Sequence, residues 1–170
     1  VGAKVNGVVH DVHTPFVHTP DTKIDFIRAS DPDGLRIIRH STAHIMADAV
    51  QRLFPGTKVT IGPATASGFY YDFDKSSGPF TDEDLASIEA KMREIIAADR
   101  AFARTVVSRE EAHELFAKMG ETYKRELINA IPEGEEISLY RHNDSNTEWV
   151  DLCEGPHVPK TGALGAVKLV

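Results

Sequence analysis

The clearest pattern in the chain starts at Leu35. Leu35, Ile38, Thr42, Ile45, Ala49 and Leu53 fall on one helical face, and Pro55-Gly56 closes the run. Lys58–Ile61 and Phe69–Phe73 are dense in strand-forming residues and predict two strands joined by a Gly/Pro/Ser loop. Thr81, followed by acidic residues, opens a second helix that runs to about Asp99. Ala101–Val107 predicts a strand. Ser108-Arg109-Glu110-Glu111 has the form of a capping box and starts a third helix, which ends near Gly120. A short helix follows through Ile131, and Ile137–Arg141, Glu148–Cys153 and Ala166–Val170 predict late strands. Before Leu35 the texture differs. Lys4-Val5-Asn6-Gly7-Val8-Val9 predicts strand, turn, strand; Lys23–Ala29 predicts another strand; and Ser30–Gly34 is a break. Helices and strands mix without strict alternation. This predicts an α+β fold, an antiparallel sheet with flanking helices, over residues 35–170. Residues 1–34 are too few to bury a core of their own and predict the tail of a small β module.

Composition narrows the class. The 170 residues are 41% hydrophobic and 26% charged, with Lys plus Arg at 19 against Asp plus Glu at 26, a net charge of −7. That balance argues against broad electrostatic binding of nucleic acid. No run approaches the roughly 18–20 apolar residues of a membrane span, and no signal peptide opens the chain. The single Cys has no internal disulfide partner, so a cytoplasmic location is expected. The chain opens on Val rather than Met, so a fragment or processed piece is expected.

Three places carry candidate chemistry. His40 and His44 are four apart and share a face of the first helix, roughly 140–180° round from the centre of the apolar stripe. They read either as two solvated histidines or as a site lined by imidazoles. Ser41 stands where a zincin helix carries its general-base Glu, which argues against a zinc protease. In the segment Glu148–His157, Asp151 and Cys153 point to the same side of a strand, and Gly155-Pro156 turns to present His157. With His40 and His44 these make three imidazoles and one thiol. The set suits a zinc site, a thiolate–imidazole nucleophile, or an inert buried Cys with polar neighbours. Lys124, after Gly120, reads as a solvated charge or, facing a cleft, as a proton-transfer group. The aromatic run Phe69-Tyr70-Tyr71 reads mainly as core, with one face able to stack on a base or ribose.

Five blocks together carry a resemblance: Arg39-His40-Ser41-Thr42-Ala43-His44, Ile61-Gly62-Pro63, Gly68–Asp72, Gly120-Glu121-Thr122-Tyr123-Lys124 and Val150–Pro159. In order and spacing they resemble the N-terminal editing region of bacterial threonyl-tRNA synthetases. Residues 1–34 resemble the second half of the β-grasp (TGS) module that precedes that region, and residues 35–170 the editing domain shared by threonyl- and alanyl-tRNA synthetases. The aminoacylation domain of the family would lie outside this chain.

The resemblance implies an aminoacyl-tRNA deacylase: hydrolysis, by activated water, of serine wrongly esterified to the 3′ end of tRNA(Thr). Serine is threonine less one methyl, and one methylene is worth only about 1–3 kcal/mol of pocket discrimination, so a second pocket adds selectivity. It implies that Lys124 and His40 handle protons, that His44 and His157 orient water or substrate, and that Asp151, Cys153 and Tyr71 line the substrate pocket, with Asp151 facing the serine ammonium. It implies no required cofactor. The alanyl-type domain instead holds zinc through the residue types found at His40, His44, Cys153 and His157, so zinc-dependent editing of tRNA(Ala) is the alternative, and a non-catalytic tRNA-end or metal-binding module a further one. The complete synthetases of the family are homodimers; the fragment alone is compatible with a monomer.

Overall fold

The computed structural model describes residues 1–143 and 148–170. Among these described residues, three small antiparallel sheets and four α-helices make an α+β fold. The first sheet has the order β2-β1-β3 and comprises β1 (Gly2–Val5), β2 (Val8–His10) and β3 (Ile24–Ile27). Asn6-Gly7 makes the β1–β2 turn with positive φ at both residues, as its Asn-Gly sequence predicts.

Helix α1 (Pro32–Leu53) follows, with Pro in its first turn and Asp33 beside the positive end of the helix dipole. It begins three residues earlier than the periodicity predicts, so a boundary between residues 34 and 35 would fall inside its first turn. The amphipathic reading of this helix is corrected here. Every residue from Ser41 to Val50 is buried, whereas Leu35, assigned to the apolar stripe, is 39% exposed. The physical reason is the run of small side chains Ser41, Thr42, Ala43, Ala47 and Ala49, which lets neighbours close on α1 from all sides. His44 is therefore not on a solvent face; it is buried.

Strands β4 (Lys58–Val59) and β5 (Phe73–Asp74) form a two-stranded ladder. The strand predicted over 69–73 is mostly absent. Phe69 makes only an isolated bridge to Ala64, and the Asp72 N–H donates to Ile61 while the Asp72 carbonyl accepts from Thr60, an irregular pairing that turns Tyr71 inward. Helix α2 (Asp82–Ala97) packs on α1 and is opened by a capping box between Thr81 and Asp84. Strand β6 (Phe102–Val107) leads into helix α3 (Arg109–Met119), whose Ser108/Glu111 capping box forms as predicted and whose end is Gly120 at φ +75°. Helix α4 (Thr122–Ala130) starts two residues later.

The largest sheet is β6-β7-β8, with β7 (Ile137–Asn143) central and β8 (Glu148–Leu152) at one edge. Its two-residue period decides what each face meets. Ile137, Leu139 and Val150 pack under α3 and α4 with Ala112, Phe116 and Ile128. Phe102, Tyr140 and Trp149 join α1 and α2 in the main core on the opposite face. Asp151 pairs across from Tyr140 and so points to the α1 side as well. Residues 166–170 do not form the strand predicted for them. Among the described residues no strand pairs with them, and the Leu169 N–H donates to the Glu89 carboxylate. Among the described residues, no helix is long and apolar enough to cross a membrane.

Candidate active site

The site forms where the α1 face of the large sheet meets α1 and the start of α4. His40 and His44 lie one turn apart on α1, ring centroids 4.9 Å from each other. The segment leaving β8 runs back along α1 and brings Cys153 and His157 to them. The His40 Nε2 is 3.1 Å from the Cys153 Sγ, which is 3.4 Å from the His157 Nε2 and accepts the Gly155 N–H at 3.2 Å. The His157 ring lies parallel to Phe102, at 4.8 Å and 7°. Its Nδ1 is 3.0 Å from the Ser41 hydroxyl, whose oxygen also accepts the Val158 N–H.

A second group abuts the first. From the first turn of α4, the Lys124 ammonium reaches the Asp151 Oδ1 at 2.6 Å and donates to the Tyr71 hydroxyl at 3.2 Å; Tyr71 in turn donates to Asp151 Oδ2 at 2.9 Å. Asp151 also accepts the Leu152 N–H, and His44 Nε2 lies 3.7 Å from its Oδ2. Most of the carboxylate's acceptor capacity is thus taken by Lys124, Tyr71 and the Leu152 N–H. A buried chain stands behind His44. Val59 N–H and Gln51 donate to Glu121, the Trp149 indole donates to Gln51, and the Trp149 ring meets His44 edge-on at 5.5 Å.

Burial governs the ionisation of these groups. It holds the His44 imidazole well below the usual range, and the charges of His157 and His40 add to the effect. It lowers His157 in the same way, and lowers His40 against the opposing pull of Asp151. The three imidazoles are therefore neutral near neutral pH. Burial also pushes the Cys153 thiol up to about 12, so it is a thiol and a poor nucleophile. The Tyr71 hydroxyl is raised well above its usual range by burial and by Asp151.

A cavity of about 590 Å³ opens onto this cluster. His40, His44, Tyr71, Lys124, Asp151 and Cys153 all line it, together with Ile61, Gly62 and Arg36. Six of the seven site residues read from the sequence therefore line one cavity. The seventh, His157, is fully buried behind Cys153 and supports the cluster from the rear. Sequence reasoning singled out Gly62 only as part of a block. Its role is steric: a Cβ there would sit 2.1 Å from the Tyr71 ring. It missed Ser41 as the partner of His157, Trp149 and Gln51 as the support of His44, and Asp11, whose bonds to Tyr140 and His157 cross 129 and 146 positions and leave no local signal.

The donor atoms of His40, His44, Cys153 and His157 all lie within 4.8 Å of one another. Tetrahedral zinc with three nitrogens and one sulfur holds its donors about 3.3–3.7 Å apart. The set fits zinc in chemistry, and a contraction of about an ångström at the widest pair would complete it. Zinc held there would supply a Lewis acid next to Lys124.

Comparison with known proteins identifies the segment. Residues 137–170 match the family described as the second additional domain of threonyl and alanyl tRNA synthetases. The whole chain aligns with the threonine–tRNA ligase of Oleidesulfovibrio alaskensis at 52% identity over 170 residues, covering 25% of that protein. It aligns with the threonine–tRNA ligases of Nitrosococcus oceani at 53% over 169 residues and of Rhodospirillum rubrum at 50% over 167 residues, again covering 25% of each. The chain thus spans about a quarter of the length of these relatives. Along its whole length it is similar to part of the threonine–tRNA ligases, and its last 34 residues match the domain these share with the alanyl enzymes.

Proposed function

We propose that this chain hydrolyses serine from mischarged tRNA(Thr), using water activated by its own side chains and no metal. The observation that carries the reading is that His40 from α1 and Lys124 from α4 line one cavity, together with Asp151, Tyr71 and Cys153. Its volume suits the terminal adenosine with a small aminoacyl group, within the usual range of about 300–1,000 Å³ for ligand sites. Residues 1–34 are read as part of a β-grasp segment, and residues 35–170 as the editing domain.

The roles follow from charge and geometry. Lys124 is ion-paired with Asp151, so it enters as a cation, suited to steady the developing oxyanion and to give a proton to the departing ribose oxygen. His40 is neutral and lines the cavity, so it takes the proton of the attacking water. His44 orients that water, and His157 fixes Cys153 from behind. Cys153, as a thiol, shapes the pocket for serine's small side chain. Asp151 lends its remaining acceptor capacity to the substrate ammonium while holding Lys124. The partner is the 3′ end of tRNA(Thr) carrying serine, met in the cytoplasm, and the long phosphate contacts fall to parts of a full-length homodimeric synthetase outside this segment. This accords with the net charge of −7, which disfavours a broad nucleic-acid surface.

The test is deacylation of seryl- and threonyl-tRNA(Thr) with and without a chelator. Rapid loss of serine, slow loss of threonine and indifference to the chelator are expected. A second reading, zinc-dependent editing of tRNA(Ala), is favoured by the close four-donor cluster. It would be supported by stoichiometric zinc in the purified protein and activity lost on chelation.

A further inference from the structure

We infer that Asp11, from the strand segment that precedes α1, is a positioning residue of this site, and that this segment is therefore part of the catalytic unit. The inference rests on the deacylase reading for its kinetic consequence and on geometry alone for the rest. Asp11 follows β2 and is 5% exposed. A carboxylate so placed is costly unless its oxygens are met by donors. Four meet it. Oδ1 accepts the His13 N–H and the Thr14 hydroxyl, both at 2.9 Å. Oδ2 accepts the Tyr140 hydroxyl at 2.6 Å and the His157 N–H at 3.0 Å.

The first two bonds are local and fix Asp11 on its own turn. The other two cross to residues 129 and 146 positions away and hold the back of the site. The His157 N–H belongs to the backbone that carries the ring touching Cys153. The Tyr140 ring meets the His157 ring edge-on at 4.5 Å, so the same oxygen fixes both the imidazole's backbone and the aromatic wall behind it. Gly155 completes the clamp. A Cβ there would stand 2.4 Å from the Tyr140 hydroxyl and 3.3 Å from the Asp11 Oδ2, so the loop can pass only as glycine, at φ +81°. Asp11 thereby sets where Cys153 and His157 stand relative to His40. A displacement of about 1 Å in such a constellation costs on the order of 10²-fold in rate.

Asp11→Asn keeps the shape of the side chain and removes its charge, and Tyr140→Phe removes one of the two long-range bonds. Both are to be compared with the unaltered chain by histidine-labelled NMR and by seryl-tRNA(Thr) hydrolysis. D11N is expected to move or broaden the ring resonances of His157 and His40 while leaving those of His18 and His113 in place. It should lower kcat by about 10- to 100-fold with KM within about twofold. Y140F should move the same resonances and cost a smaller factor. If D11N does not fold, Y140F decides alone. Unmoved His157 and His40 resonances in a folded variant overturn the inference, as does an unchanged kcat in D11N. If the unaltered chain does not deacylate seryl-tRNA, the proposed function fails, and the resonances still test the clamp.

Discussion

Lys124→Met is the most informative single change in the site. It keeps the length of the side chain and deletes its ammonium. In the folded chain that ammonium lies 2.6 Å from Asp151, with side-chain exposures of 3% and 1%. At an effective dielectric of about 20, the gross attraction at that distance is about 6 kcal/mol, largely offset by the cost of desolvating both charges. Deleting one partner keeps the desolvation cost of the other, so K124M should lose about 3–5 kcal/mol. That is a large share of the roughly 5–15 kcal/mol that a domain holds. Asp151 would keep only the Tyr71 hydroxyl and the Leu152 N–H as donors. The double variant K124M/D151N removes the stranded charge and should regain about half of the loss or more. Urea unfolding at pH 7, followed by the fluorescence of the single Trp149, measures both. Hydrolysis of seryl-tRNA should fall by about 10²- to 10⁴-fold in either variant under conditions where it is folded. A K124M stability within about 0.5 kcal/mol of the parent, or a double variant no more stable than the single one, would refute the buried pair.

Other outcomes follow from the same geometry. Gly62→Ala should drive the Tyr71 ring from its place, break its 2.9 Å bond to Asp151, and cost about 1–3 kcal/mol by overpacking, seen as a lowered Tm together with slowed deacylation. Cys153→Ala should retain hydrolysis within about tenfold if water attacks the ester, whereas an acyl-enzyme route would lose it entirely; single-turnover kinetics decide between them. Burial raises the Glu121 carboxyl, against the opposing hydrogen bonds from Val59 and Gln51. A raised carboxyl keeps its proton longer in the folded state, so the parent should lose stability as pH climbs from the ordinary glutamate value through the raised one. Glu121→Gln should flatten that slope in a series of urea midpoints and lose one of the two acceptor contacts.

What the sequence could tell followed the range of the interactions involved. Capping boxes, the Asn-Gly turn and the Gly120 helix end are local devices, and they formed where the residues stood. Helix α1 defeated its own periodicity because burial there is set by what surrounds it. Its small side chains admit neighbours on every side, and no one-dimensional pattern shows that. The segment 166–170 had the apolar residues of a strand, but its Leu169 N–H is taken by the Glu89 side chain, and among the described residues no strand pairs with it. At the site, the histidine and cysteine blocks were legible as residue types. Their convergence on one cavity depends on how β8 runs back along α1, and the displacement of His157 behind Cys153 depends on Ser41, Phe102 and Asp11. Those partners are local to nothing in the chain.

The same distinction determines which substitutions can isolate chemistry from folding. Lys124, Asp151 and His44 are almost wholly buried, Lys124 ion-paired with Asp151 and His44 packed 3.7 Å from the same carboxylate, so each change there alters the scaffold as well as any reaction. His157 is more entangled still, since its ring is enclosed by Phe102, Tyr140, Ser41 and Cys153. His40 is the least buried of the site histidines. It lines the cavity, meets Cys153 and the Gly62 backbone, and stacks on the His157 ring at 4.5 Å. Removing its ring leaves no buried charge unpaired, so on the proposed function a rate loss at His40 should report on proton handling more directly than a loss at Lys124 or Asp151. The scaffold explains the arrangement: a buried group of imidazoles and thiol backs His40, which lines the same cavity as the fixed Lys124 ammonium, and on the proposed function that cavity is where the ester sits.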